Sequence, residues 1–201
     1  MNKSKFRSGD LVFASGNSFT SRIIAMREGE FSHVGMLIRD IMGKWHVMES
    51  TLNSREVSGV ILTDWEIFES YGYNRISVRR LTPYMTTSEI IQCKREFLKQ
   101  LGKPYEKNIR SLLGWMNTPS SLSCNELISR MLVHCGRETN TNIRLSRLLS
   151  NNMVLIMEKY YNVPYTRNIK HITNIYYNQN YTEAQRLELI KNATKILFLT
   201  I

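Results

Sequence analysis

Up to Leu81 the chain is built from short apolar runs separated by turn residues, and beyond Pro83 the apolar positions recur at three- and four-residue steps. The first pattern belongs to strands, the second to helices. Ser8-Gly9-Asp10 is a turn signal ahead of a strand at Leu11-Val12-Phe13-Ala14, and a short helix is predicted between Ser18 and Met26. A β-hairpin follows, its arms being His33 to Ile38 and Trp45 to Glu49, with Asp40-Ile41-Met42-Gly43-Lys44 as the turn. Val57 to Thr63 and Ile76 to Leu81 supply two more β-rich segments, with a turn of amphipathic helix at Asp64 to Phe68. A helix from Thr86/Thr87 to Leu98 stops at Gly102-Lys103-Pro104, residues 105–121 read as a loop, and Cys124 to Val133 is helical again. Thr182-Glu183-Ala184-Gln185 resembles a capping box in front of an amphipathic run ending at Phe198.

Composition narrows the class. With 201 residues, 42% hydrophobic and 22% charged, the chain suits one folded domain with an extension: 1–136 as the domain and 137–201 as a partly helical C-terminal extension packed on it. A formal charge of +10 favours acidic contacts, but it is dispersed and no nucleic-acid motif accompanies it. Weak contact of the basic surface with nucleic acid or an anionic membrane stays open; specific nucleic-acid recognition is disfavoured. Cys93, Cys124 and Cys135 are an odd count without disulfide-framework spacing, which predicts a reducing compartment. No leader-like apolar stretch or membrane-length segment is present, so a cytoplasmic protein is expected. The cysteines and His33, His46, His134 and His171 show no paired metal-ligand spacing, and neither a metal nor another cofactor is expected.

Three separated pieces carry chemistry. In Ser123-Cys124-Asn125-Glu126 the serine can cap a helix while Glu126 reaches back, which makes Cys124 the first helical residue. There the helix dipole and the unpaired amides favour a thiolate and leave a donor for a developing oxyanion. Leu127, Ile128, Met131 and Leu132 give this helix an apolar face, whereas Cys93 and Cys135 read as buried small hydrophobes. His33 opens a strand and Glu49 lies in the next, within Val47-Met48-Glu49-Ser50-Thr51, where a carboxylate needs a partner. An odd hairpin loop, such as Ile41-Met42-Gly43 with a left-handed glycine, puts 33, 35, 49 and 51 on one face and makes His33 and Glu49 diagonal neighbours; an even loop separates them. His46 has the opposite parity to Glu49, and His134 is too far along its helix to reach Cys124. Both are expected to be structural, as is His171.

Taken together, Gly9-Asp10-Leu11-Val12-Phe13, Ser32-His33-Val34-Gly35, Val47-Met48-Glu49-Ser50-Thr51, Gly102-Lys103-Pro104-Tyr105 and Ser123-Cys124-Asn125-Glu126-Leu127-Ile128 resemble the circularly permuted NlpC-like papain-fold cysteine hydrolases, the YiiX/YaeF-like group. The poxvirus branch is the most similar. The resemblance spans residues 8 to 136 and follows the permuted order, histidine before glutamate before cysteine. It implies an α+β fold, an antiparallel sheet packed against the helix that bears the nucleophile. It also implies Cys124 as nucleophile, His33 as base and Glu49 as its orienting carboxylate, with Tyr105, Ser123 and Asn125 toward the substrate. Asn125 departs from the serine usual in the family. The reaction implied is thiol acyl transfer on an amide or ester, by a peptidase, amidase or acyltransferase acting on a peptide, amide or lipid-ester substrate. The rival reading is a non-catalytic viral or effector protein that keeps the fold and binds nucleic acid or membrane through its basic surface.

Overall fold

The computed structural model describes residues 3–17, 19–52, 58–105, 122–141, 144–150, 152–162 and 181–198. Strands β1 (Leu11–Gly16), β2 (His33–Arg39), β3 (Trp45–Leu52), β4 (Ser58–Asp64), β5 (Tyr73–Leu81) and β6 (Met153–Tyr160) form one sheet in the order β4-β3-β2-β1-β5-β6. Every neighbouring pair is antiparallel. The helices are α1 (Phe19–Glu28), α2 (Trp65–Glu69), α3 (Thr87–Gln100), α4 (Cys124–His134), α5 (Leu145–Ser150) and α6 (Glu183–Phe198). The predicted loop lies almost wholly at 106–121, which with His171 falls outside the described residues. No helix among the described residues is long and apolar enough to cross a membrane.

Continuous apolar runs mark these strands because both sheet faces are covered. Leu11, Phe13, Val34, Met36, Ile38 and Met48 pack with Phe97, Leu127, Ile128 and Leu132 of α3 and α4. Alternate residues of the same strands, Val12, Ala14, Leu37, Val47, Ile76 and Val78, join Phe6, Trp65 and Phe68 on the other face. Asp10 anchors the entry to β1: its carboxylate takes Arg80 Nε and Nη2 at 2.7 and 2.8 Å and the Arg7 amide at 2.9 Å. The Gly-Asp signal at positions 9 and 10 thus has a structural use.

The C-terminal stretch contributes β6, which the apolar pattern did not reveal, and α6, whose Ala193 and Leu197 enter the α3/α4 core. The capping box is present at α6: Thr182 N donates to Gln185 Oε1 at 2.9 Å and Gln185 N to Thr182 Oγ1 at 3.3 Å.

The β2–β3 turn fixes the face on which the polar residues of this hairpin lie. Asp40 N bonds Lys44 O at 2.9 Å and Gly43 N bonds Asp40 O at 3.1 Å, enclosing Ile41, Met42 and Gly43, the glycine at φ +82°. That odd loop sets Gly35 opposite Glu49, so His33, two residues back, shares the Glu49 face. Gly35 is small for a reason. A Cβ there would lie 2.5 Å from Val47 Cγ1 and 3.3 Å from Met48 O. Gly35→Ala should therefore destabilise the protein by about 1–3 kcal/mol through overpacking, read as a lower urea midpoint; an unchanged midpoint would show that the hairpin yields.

Candidate active site

Helix α4 begins where its cap dictates. Ser123 has extended backbone angles, its Oγ accepts from Glu126 N at 3.4 Å, and its own N–H donates to Glu126 Oε2 at 2.8 Å. Leu127, Ile128, Met131 and Leu132 are fully buried and fix the helix on the sheet. Cys124, 4% exposed, is thereby held as the first helical residue. Its amide is one of the four at a helix start that have no intrahelical acceptor.

The Cys124 side chain lies beside the His33 ring and acts on its ionisation. On the other side of the ring, Nε2 meets Glu49 Oε2 at 2.7 Å, which leaves Nδ1 as the nitrogen for the sulfur. Glu49 has no solvent exposure, and its second oxygen accepts from Thr63 Oγ1 at 2.5 Å. Tyr73 stacks on the imidazole, with centroids 5.8 Å apart and planes 14° from parallel, and Phe68 flanks it at 6.0 Å. The row Cys124, His33, Glu49, Thr63 is thus continuous and buried.

Electrostatics follow from that row. Burial pulls the His33 value down, but the hydrogen bonds and negative charge of Cys124 and Glu49 outweigh it and push it up to about 10. His33 is then an imidazolium at neutral pH. Burial, seconded by the Glu49 charge, raises Tyr73 well above its ordinary value, so the stacked ring stays neutral.

The other candidates fall around this centre. Tyr105 is buried and forms a parallel bridge with Leu122, two residues before Cys124. The Ser123 hydroxyl is committed to the cap, its one proton shared between Asn125 Oδ1 and Glu126 Oε2, each 2.7 Å from Oγ. Asn125 is half-buried beside the sulfur-bearing residue. His46 lies at the turn end of the hairpin between Asp40 and Asp64, 2.9 Å from each. His134 is 3.8 Å from Glu96 at the far end of α4. Cys93 and Cys135 are buried against backbone carbonyls of that same helix.

Thr63 and Tyr73 escaped the sequence reading. Thr63 faces Val47 and sits diagonally from Glu49, so extending the hairpin's parity to β4 would have found it. Tyr73 opens β5 and carries no comparable signal.

No curated protein sequence matches the chain. The crystal structure of the metalloprotein YiiX from Escherichia coli O157:H7 shares the fold, with a TM-score of 0.51 at 20% identity over 65% of this chain and 67% of that one. Among the described residues here, no group of three or more His, Cys, Asp and Glu side chains is placed to hold a metal ion, and no step below is routed through one. A family model for permuted papain-like amidases matches residues 5–191. The sheet order, the helix-borne cysteine and this match over most of the chain agree: the protein belongs to the YaeF/YiiX, C92 family of permuted papain-like amidases.

Proposed function

We propose that the chain is a thiol amidase that works through Cys124, His33 and Glu49. The observation that carries the reading is the buried row of Cys124, His33, Glu49 and Thr63, in which Glu49 holds the His33 ring beside the sulfur. A binding module has no use for an imidazolium held between a thiol and a buried carboxylate; a thiol nucleophile does.

In acylation the sulfur attacks the substrate carbonyl, and the Cys124 amide donates to the oxyanion. His33 gives its proton to the departing amine as the C–N bond breaks, leaving a thioester. In deacylation His33 removes a proton from water, the hydroxide adds to the thioester carbonyl, and the sulfur leaves. An alcohol or amine in place of water would make the same centre an acyltransferase. Glu49 keeps the ring turned so that Nδ1 faces the sulfur, and Thr63 and Tyr73 fix Glu49 and the ring in turn. Asn125, next to Cys124, and Tyr105, which pairs with Leu122 two residues before it, are the residues assigned to meet substrate.

The test is to trap the acyl-enzyme. Incubation with acyl probes bearing good leaving groups, followed by intact-mass and peptide analysis, should show one acyl adduct on Cys124 in the wild type and none in Cys124→Ala. Adducts distributed over Cys93 and Cys135 as well, or none under any probe, would defeat the reading.

A further inference from the structure

Lys103, Arg130 and Arg186 converge where the end of α3 meets α4 and α6, and none of them has a carboxylate partner among the described residues. Arg186 spends its guanidinium on carbonyls, Nε donating to Leu101 O at 2.8 Å and Nη2 to Lys99 O at 3.0 Å, while its stem lies over Gly102. Lys103 is next in sequence and half-buried, and Arg130 and Arg186 both repel its charge. Arg130 projects from the helix that carries Cys124, its Nε buried without an acceptor. Gln100, 7% exposed, likewise keeps a buried Oε1 without a donor. Among the described residues Glu96 is the acidic group that acts on Lys103, and it is already engaged by Lys99 Nζ at 3.2 Å and Gln100 Nε2 at 2.6 Å.

Three partly buried cations that share a single carboxylate, itself already engaged, repel one another, and an oxyanion relieves that repulsion while supplying acceptors. We propose that Lys103, Arg130 and Arg186 form a binding site for a phosphate group, separate from the thiol chemistry. A phosphate offers oxygens to the Arg130 guanidinium and the Lys103 ammonium, and its protonated oxygen can donate to a buried carbonyl such as that of Gln100. The cluster adjoins the reaction centre through Pro104 and Tyr105, since Leu122 N donates to Pro104 O at 3.0 Å.

The experiment compares the wild type with Lys103→Gln and Arg130→Gln in two arms. One measures the melting temperature with inorganic phosphate against chloride at matched ionic strength; the other measures sedimentation with phosphatidylglycerol vesicles against phosphatidylcholine vesicles. Binding should raise the wild-type melting temperature by roughly 3–6 °C at ten times the dissociation constant, and both substitutions should abolish the rise. Cys124→Ala should keep it, so failure of the amidase reading leaves this one standing. A response in the vesicle arm alone that both variants lose supports the site and assigns the phosphate to a lipid headgroup. Neither substitution breaks an ion pair, so without ligand both variants should melt at or above the wild-type temperature. Loss of stability in the variants, or identical behaviour of the three proteins in both arms, would overturn the proposal.

Discussion

At pH 7, His33→Ala should slow alkylation of Cys124 by iodoacetamide by about tenfold or more, because it removes the cationic imidazolium that sits beside the sulfur. The wild type should keep its advantage through the neutral range, because the imidazolium beside the sulfur persists until His33 loses its proton near pH 10. Peptide mapping keeps the buried Cys93 and Cys135 out of the measurement. Turnover of an amide has a second requirement, the proton delivered to the leaving amine, so it should fall as pH passes about 10. Stability carries the same signature. Folding raises the His33 value, so its stabilising contribution is complete below the ordinary 6.5 and is lost as pH rises to about 10. Equal alkylation rates in wild type and His33→Ala at pH 7 would sink the ion-pair account.

Glu49→Ala should produce the largest loss of stability, about 3–5 kcal/mol, because it leaves a buried imidazolium and the Thr63 hydroxyl without their acceptor. It should lower turnover by roughly two to four orders of magnitude, the range over which mispositioning a base is felt. Glu49→Gln separates the two effects. The amide fills the same space and can still bond Thr63, so much of the stability returns, but its NH2 competes to donate to Nε2 and selects the tautomer that leaves no base toward the substrate. Urea midpoints at constant slope and steady-state rates on the same preparations measure both. A Glu49→Gln enzyme with wild-type turnover would remove Glu49 from the orienting role.

Much of this geometry was legible because a few residues decide it. Asp40 and Gly43 close an odd loop, and once the loop is odd, His33 and Glu49 must share a face. Ser123 and Glu126 are three apart, and that spacing alone starts the helix at Cys124. Thr63 was hidden because its meaning depends on register across a second hairpin, and threonine is otherwise an ordinary strand residue. Strand β6 was hidden for another reason. Met153 to Met157 is an apolar run without alternation, and what makes it a strand is backbone pairing with β5, whose Leu81 faces Met153 across a long stretch of intervening chain.

That distant pairing sets a timetable for synthesis. A ribosome has already extruded both strands of the β2–β3 hairpin, and the start of the cysteine helix, while the partner for the outer edge of Tyr73–Leu81 is still inside its tunnel. Until Met153–Tyr160 emerges, that edge offers its unpaired N–H and C=O groups to any other nascent chain. Emergence of Met153–Tyr160, rather than of the cysteine helix, is therefore the moment at which that edge stops being adhesive.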